Sequence, residues 1–124
     1  MTDRQLVIVA SLTLLVGVGA GAFGAHGLKR LISPDLLAVW QTAVLYQLVH
    51  GLGMLAIAAL AGRFGSALLS GAGSLMFAGI VIFSGSLYVL ALTGSKWLGA
   101  VTPIGGLAFL AAWGMVALAA YRAA

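Results

Sequence analysis

Every charged side chain in this sequence stands at the border of an apolar run. Asp3 and Arg4 precede the first run, Lys29, Arg30 and Asp35 separate the first from the second, Arg63 follows the second, Lys96 follows the third, and Arg122 follows the fourth. Six Lys or Arg and two Asp or Glu, 6% of 124 residues, cannot cover a water-facing surface, whereas 63% of the chain is hydrophobic. A soluble domain carries roughly 25% charged residues. A soluble globular fold, a disordered chain and a coiled coil are therefore set aside, and an integral membrane protein is left. A spanning helix takes roughly 20 apolar residues. The chain has room for five such spans at most and holds four comfortably.

The net charge of +4 would suggest nucleic acid in a soluble protein, but only Lys29 and Arg30 are adjacent, so no basic patch exists and no nucleic-acid partner is expected. The chain has no cysteine, which removes disulfides, thiolate metal sites and cysteine nucleophiles from consideration. Ala20-Gly21-Ala22 has the small-x-small look of a signal cleavage site. The apolar run Leu6 to Ala25 is longer than the roughly 7–15 residues of a signal core, so it is read as a retained first span.

Helix signals divide the chain into spans at about 4–26, 34–61, 66–93 and 103–122, one transmembrane domain over 1–124. Thr2 with Gln5 forms a capping box. Ser33-Pro34-Asp35 supplies a cap, a proline at the first helical position and an acid in the first turn. Gly62 to Gly65 reads as a turn, and Thr102-Pro103 repeats the cap-plus-proline signal. Short connections make neighbours antiparallel, so the fold class is all-α: an integral membrane up-down four-helix bundle. The continuous Leu- and Ala-rich runs lack the alternation of barrel strands. Lys and Arg divide three against three between the two sides, so the positive-inside rule does not orient the chain. Four spans put both termini on one side, taken as the inside.

Polar groups within a span are costly and need a partner or a task. Tyr46, Gln47 and His50 share a sector roughly 100° wide on the second span. His50 falls near the bilayer centre, with Tyr46 and Gln47 roughly 5–6 Å nearer the start of that span. On the third span Ser84 lies about 6 Å and Tyr88 about 12 Å from the centre, on the same side, close to the depth of Gln41 and Thr42. Gly21, Gly24 and Thr102 to Gly106 fall in that half too. Polar and glycine-rich residues of all four spans thus gather in the half bordered by residues 26–33 and 94–101. Gln41, Tyr46, Gln47, His50, Ser84 and Tyr88 are the candidate binding residues, with Tyr46, Gln47, His50 and Ser84 expected to point into protein.

Each of these residues also has a plainer role. His50 suits first a hydrogen-bonded structural histidine, and its functional reading is a proton-linked site or a ligand contact. His26 suits a helix C-terminus. The two histidines differ in depth by roughly 15 Å and no acid lies within a span, so neither a metal site nor a cofactor is expected. Asp3 and Asp35 sit near interfaces, leaving no acid to orient a histidine towards a serine, so no enzyme is expected. The stripes Thr13, Gly17, Gly21, Gly24 and Ser70, Gly73, Ser74, Phe77, Ser84, Tyr88 suit close helix packing. Trp40, Trp97, Phe64 and Tyr121 suit interfacial anchors, and Trp113 falls at mid-depth, where it is expected in the core.

The segments Gly21 to Leu28, Trp40-Gln41-Thr42-Ala43 with Tyr46-Gln47 and His50, Phe83 to Tyr88, and Thr102 to Gly106 resemble the YgdD/YwdK-like family, a domain-of-unknown-function family of small bacterial inner-membrane proteins. Four motifs in order, from about residue 20 to Trp113, carry the resemblance. It implies four membrane helices and a multi-pass protein of the cell inner (plasma) membrane. It brings no activity, substrate or catalytic residue. The expected function is that of a small membrane protein without catalytic activity that binds membrane lipids or a membrane partner, as a homo-oligomer or accessory subunit. The alternative is a small channel or proton-linked transporter using His50 and Gln47.

Overall fold

The computed structural model describes residues 1–123. Its long elements are α1 (Asp3–Ala25), α2 (Pro34–Phe64), α3 (Ala67–Thr93) and α4 (Thr102–Arg122), with 3-10 turns at Leu28–Arg30 and Lys96–Ala100. All four helical segments are long and apolar enough to cross a membrane. In hydrocarbon a backbone N–H finds no water, so the helix is the one local solution that satisfies it.

Side chains close the helix ends. The Thr2 hydroxyl accepts from the Gln5 amide at 3.1 Å while the Gln5 side chain accepts from the Thr2 amide at 3.0 Å, the predicted capping box. Ser33 and Ser66 each accept from the amide three residues on, at 3.2 Å. His26 is the C-cap of α1, as its sequence position suggested. Gly94 ends α3 at φ 70°, a left-handed conformation that suits glycine.

Two expected boundaries are corrected. The turn placed at Gly62–Gly65 starts later, because α2 continues through Phe64. Gly62 alone does not stop a helix whose backbone groups have no competing partner, and Arg63 in the last turn complements the helix dipole. Thr102 is not an N-cap. The Lys96–Ala100 turn feeds Val101 into α4 already in helical conformation, so no extended residue is present to cap from. The Thr102 hydroxyl instead pairs with that of Ser86 on α3 at 2.7 Å.

Each helix packs along its sequence neighbour. The diagonal pairs α1/α3 and α2/α4 touch only locally, and α1 and α4 do not touch. The bundle is thus an open one, with α2 and α3 at its centre and α1 and α4 on the flanks. Lipid gives no hydrophobic drive between helices, so close approach depends on small residues. At Gly24 an added Cβ would lie 2.7 Å from the Trp40 ring of α2; at Gly105 of α4 it would lie 2.5 Å from the Phe83 amide nitrogen of α3. The predicted α1 stripe therefore faces α2.

The core has two parts. One, around Leu6, Ala10, Met54, Ile57, Leu69 and Met76, fills the half nearest the N-terminus. The other, around Leu28, Trp40, Val44 and Ala91, fills the opposite half. Gln47, His50 and Ser84 occupy the depth between them, which is where the candidate site lies.

Candidate functional site

The buried polar side chains between the two cores are tied to backbone and to one another. Gln47 of α2 donates through Nε2 to the Thr13 carbonyl of α1 at 2.9 Å, and its Oε1 accepts from the Tyr88 hydroxyl of α3. One side chain therefore joins three helices. Ser84 of α3 donates to the Ala43 carbonyl of α2 at 2.7 Å. Trp40 of α2 donates from its indole to the Ala20 carbonyl of α1 at 2.9 Å. Among the described residues no buried side-chain nitrogen or oxygen lacks a partner.

His50 is fixed from both sides. Nδ1 lies 2.9 Å from the Tyr46 carbonyl, and the Trp113 indole donates to Nε2 at 3.1 Å. A carbonyl only accepts and an indole N–H only donates. The imidazole is therefore the neutral tautomer with its proton on Nδ1. Its ring stacks on Phe109 with centroids 3.6 Å apart and planes 11° from parallel.

The candidate residues fall into two groups, one on either side of the α2–α3 contact. Because α1 closes against α2 and not against α4, a groove of about 490 Å³ remains between α1 and α3. Val9, Leu12, Val16 and Val81 supply its walls, and Thr13, Gln47, Ser84 and Tyr88 also line it. On the other side a groove of about 570 Å³ lies between α2 and α4, lined by Tyr46, His50, Phe83, Phe109 and Trp113 among others. Both fall within the size range of small-molecule sites, roughly 300–1,000 Å³.

Gln47, His50 and Ser84 are buried, as expected. Tyr46 is 37% exposed: its ring packs on Phe83 at 4.3 Å, yet it borders the α2–α4 groove and is not enclosed. Gln41 is exposed and lines neither groove, so the shared depth inferred from helical rise does not bring it to the others. Trp40, expected as an interfacial anchor, is 7% exposed and lies edge-on to Tyr88 at 4.6 Å. Its indole N–H has a carbonyl to bind inside the bundle, and the absence of a side chain at Gly24 makes room for the ring. Trp97 and Tyr121 are exposed, as anchors require, while Phe64 is half-buried. Trp113, expected in the core, is 42% exposed because α4 is a flank helix, though its N–H reaches inward to His50 and its benzene ring lies against Gly53 of α2.

Sequence reasoning missed three participants. The Thr13 carbonyl carries no residue-type signal, since every residue has one. Phe109 stacks on His50 from 59 positions away in sequence. The Trp113–His50 pair had a signal: a mid-depth indole N–H needs an acceptor, and His50 is the imidazole expected at that depth.

Among the described residues no group of three or more His, Cys, Asp or Glu could hold a metal ion. No acid lies inside a helix beyond the first turns of α1 and α2.

The family described as "Protein of unknown function (DUF423)" matches residues 20–106. The chain is similar to the UPF0382 membrane protein SH2409 of Staphylococcus haemolyticus, 47% identical over 119 residues that cover 96% of this chain and 97% of the relative. It is similar also to the UPF0382 membrane protein YwdK of Bacillus subtilis, 48% identical over 120 residues, covering 96% and 98%. No solved structure matches.

Proposed function

This multi-pass membrane chain belongs to the DUF423 family, and on that premise we propose that it is a non-catalytic lipid-binding protein whose α1–α3 groove holds an acyl chain. The observation that carries the reading is the open bundle: α1 and α4 do not touch, and an aliphatic groove of about 490 Å³ is left beside α1 within the membrane. A groove of this kind in hydrocarbon is filled by whatever apolar chain fits its walls. Val9, Leu12, Val16, Ile80 and Val81 present branched aliphatic surface, while Gln47 and Tyr88 satisfy each other and leave the floor non-polar in effect.

The same bonds weigh against the other roles. Catalysis by His50 and Ser84 requires groups that are at liberty to react. Both nitrogens of His50 and the hydroxyl of Ser84 are already engaged. Proton-linked transport through His50 and Gln47 requires a shared path, but Gln47 borders the α1–α3 groove and His50 the α2–α4 groove. A helix of a second copy or of another subunit is the competing occupant of the α1–α3 groove.

Photo-crosslinking separates them. Protein in native-like bilayers is exposed to a phosphatidylcholine carrying a diazirine midway along one chain, and adducts are mapped by peptide mass spectrometry. Gly85 borders the groove and nothing lies within 4 Å of a Cβ added there, so Gly85→Leu is chosen to place an aliphatic side chain at the groove. Gly19 is equally open but does not line the groove, and Gly19→Leu is the control. Adducts at Val9, Leu12, Val16 and Val81 that Gly85→Leu abolishes and Gly19→Leu leaves are expected. Adducts spread evenly around α1 and unchanged in Gly85→Leu, or protein–protein crosslinks in their place, would overturn the reading.

A further inference from the structure

A third concavity lies away from both grooves, at the end of the bundle where α2 and α4 finish and α3 begins. It measures about 450 Å³ and is lined by Arg63, Phe64, Ser66, Leu68 and Arg122 among others. Two of the six cations of the chain, 59 positions apart in sequence, are brought to one hollow by the antiparallel return of the helices. Guanidinium groups stay charged, and their planar fork matches the oxygens of a phosphate. Both arginines close α2 and α4 in the last turn, so each also has an ordinary role beside a helix dipole. That ordinary role needs one arginine per helix end. It does not need the two to line the same hollow.

Charge and place together select the ligand. The hollow stands at the water-facing ends of membrane helices, where lipid phosphates lie. Phe64 and Leu68 give it an apolar edge and also pack against the core of the bundle. We infer that this hollow binds the phosphate of an anionic phospholipid, with Arg63 and Arg122 as the paired cations. Basic hollows between transmembrane helices are a recurring form of headgroup recognition, and each Lys or Arg near the surface strengthens binding of anionic lipid roughly fivefold. This site is independent of the α1–α3 groove: it is set by charge at the membrane surface, not by aliphatic walls at mid-depth.

The test measures retention of phosphatidylglycerol against phosphatidylcholine by native mass spectrometry of the full chain in detergent micelles. Variants are Arg63→Gln, Arg122→Gln and the double variant. Arg4→Gln is the control, a cation at the same end of the bundle that does not line the hollow. Phosphatidylglycerol is expected to be preferred by the wild type, with each single change weakening it roughly fivefold and the double change roughly 25-fold. Arg4→Gln is expected to leave the preference intact. Far-UV circular dichroism of each variant reports that the helices persist, which surface Arg→Gln changes allow. Equal weakening by Arg4→Gln and Arg63→Gln would reduce the effect to net charge and overturn the site. Inorganic phosphate competing as well as the lipid does would overturn the assignment to a lipid headgroup. Gly85→Leu distinguishes this proposal from the acyl-chain groove, because it blocks the groove and leaves the phosphatidylglycerol preference unchanged if the hollow is a site of its own.

Discussion

Replacing Gln47 by Leu removes a side chain that hydrogen-bonds from α2 to both α1 and α3. Leu is close to Gln in volume, so little is added for a cavity. Two hydrogen bonds are lost, one to the Thr13 carbonyl at 2.9 Å and one from the Tyr88 hydroxyl. Side-chain hydrogen bonds between membrane helices average about 0.6 kcal/mol and reach about 1.7. Gln47→Leu is therefore expected to destabilise the fold by about 1–3 kcal/mol. The Thr13 carbonyl keeps its partner within α1, while the Tyr88 hydroxyl is stranded beside the groove. Tyr88→Phe alone is expected to cost about 0.6–1.7 kcal/mol, and adding it to Gln47→Leu about nothing further, because the bond is already gone. The assay is reversible unfolding in mixed micelles, followed by tryptophan fluorescence and far-UV circular dichroism for the two single variants and the double variant. A coupling energy of about 0.6 kcal/mol or more is expected. Single effects that simply add, within about 0.3 kcal/mol, would refute the shared bond.

At Gly24 and Gly105 an added methyl meets the Trp40 ring at 2.7 Å and the Phe83 backbone at 2.5 Å, so Gly24→Ala and Gly105→Ala are each expected to cost about 1–3 kcal/mol in the same unfolding assay. Gly114 has nothing within 4 Å of an added Cβ, and Gly114→Ala is expected to change stability by no more than about 0.5 kcal/mol, or to raise it. Nitrogen-15 NMR of the His50 ring is expected to show the proton on Nδ1, with Trp113→Phe altering the Nε2 resonance; a proton on Nε2 would contradict the Trp113 bond.

Most helix ends are legible in the sequence, the end of α2 and the start of α4 excepted, and the faces are largely not. Thr2, Ser33, Ser66 and Gly94 act locally, through bonds to residues no more than four positions away, and local chemistry can be read from a local string. The faces are harder because lipid and protein interior are both apolar. Leu12 and Leu107 face outward while Leu6 and Leu69 are core, and nothing in the residue type tells them apart. Polar residues are the exception: of the four expected to face inward, Gln47, His50 and Ser84 are buried, and Tyr46 borders a groove instead. Helical rise orders them along the helices but does not give their partners. Gln41 lies on the outer face of α2, and Gln47 and His50 diverge to separate grooves, because depth says nothing of the side on which each flank helix stands. That arrangement is set by contacts such as Gly24 with Trp40 and Gly105 with Phe83, whose partners are 16 and 22 positions apart.

The most direct measurement is native mass spectrometry of the full chain extracted from its own membrane, with collisional energy raised until bound lipid leaves. Wild type and Gly19→Leu are expected to retain one phospholipid more than Gly85→Leu at the same energy if the α1–α3 groove holds an acyl chain, whatever the Arg63–Arg122 hollow retains. The same number of bound phospholipids in all three proteins at every energy would contradict it.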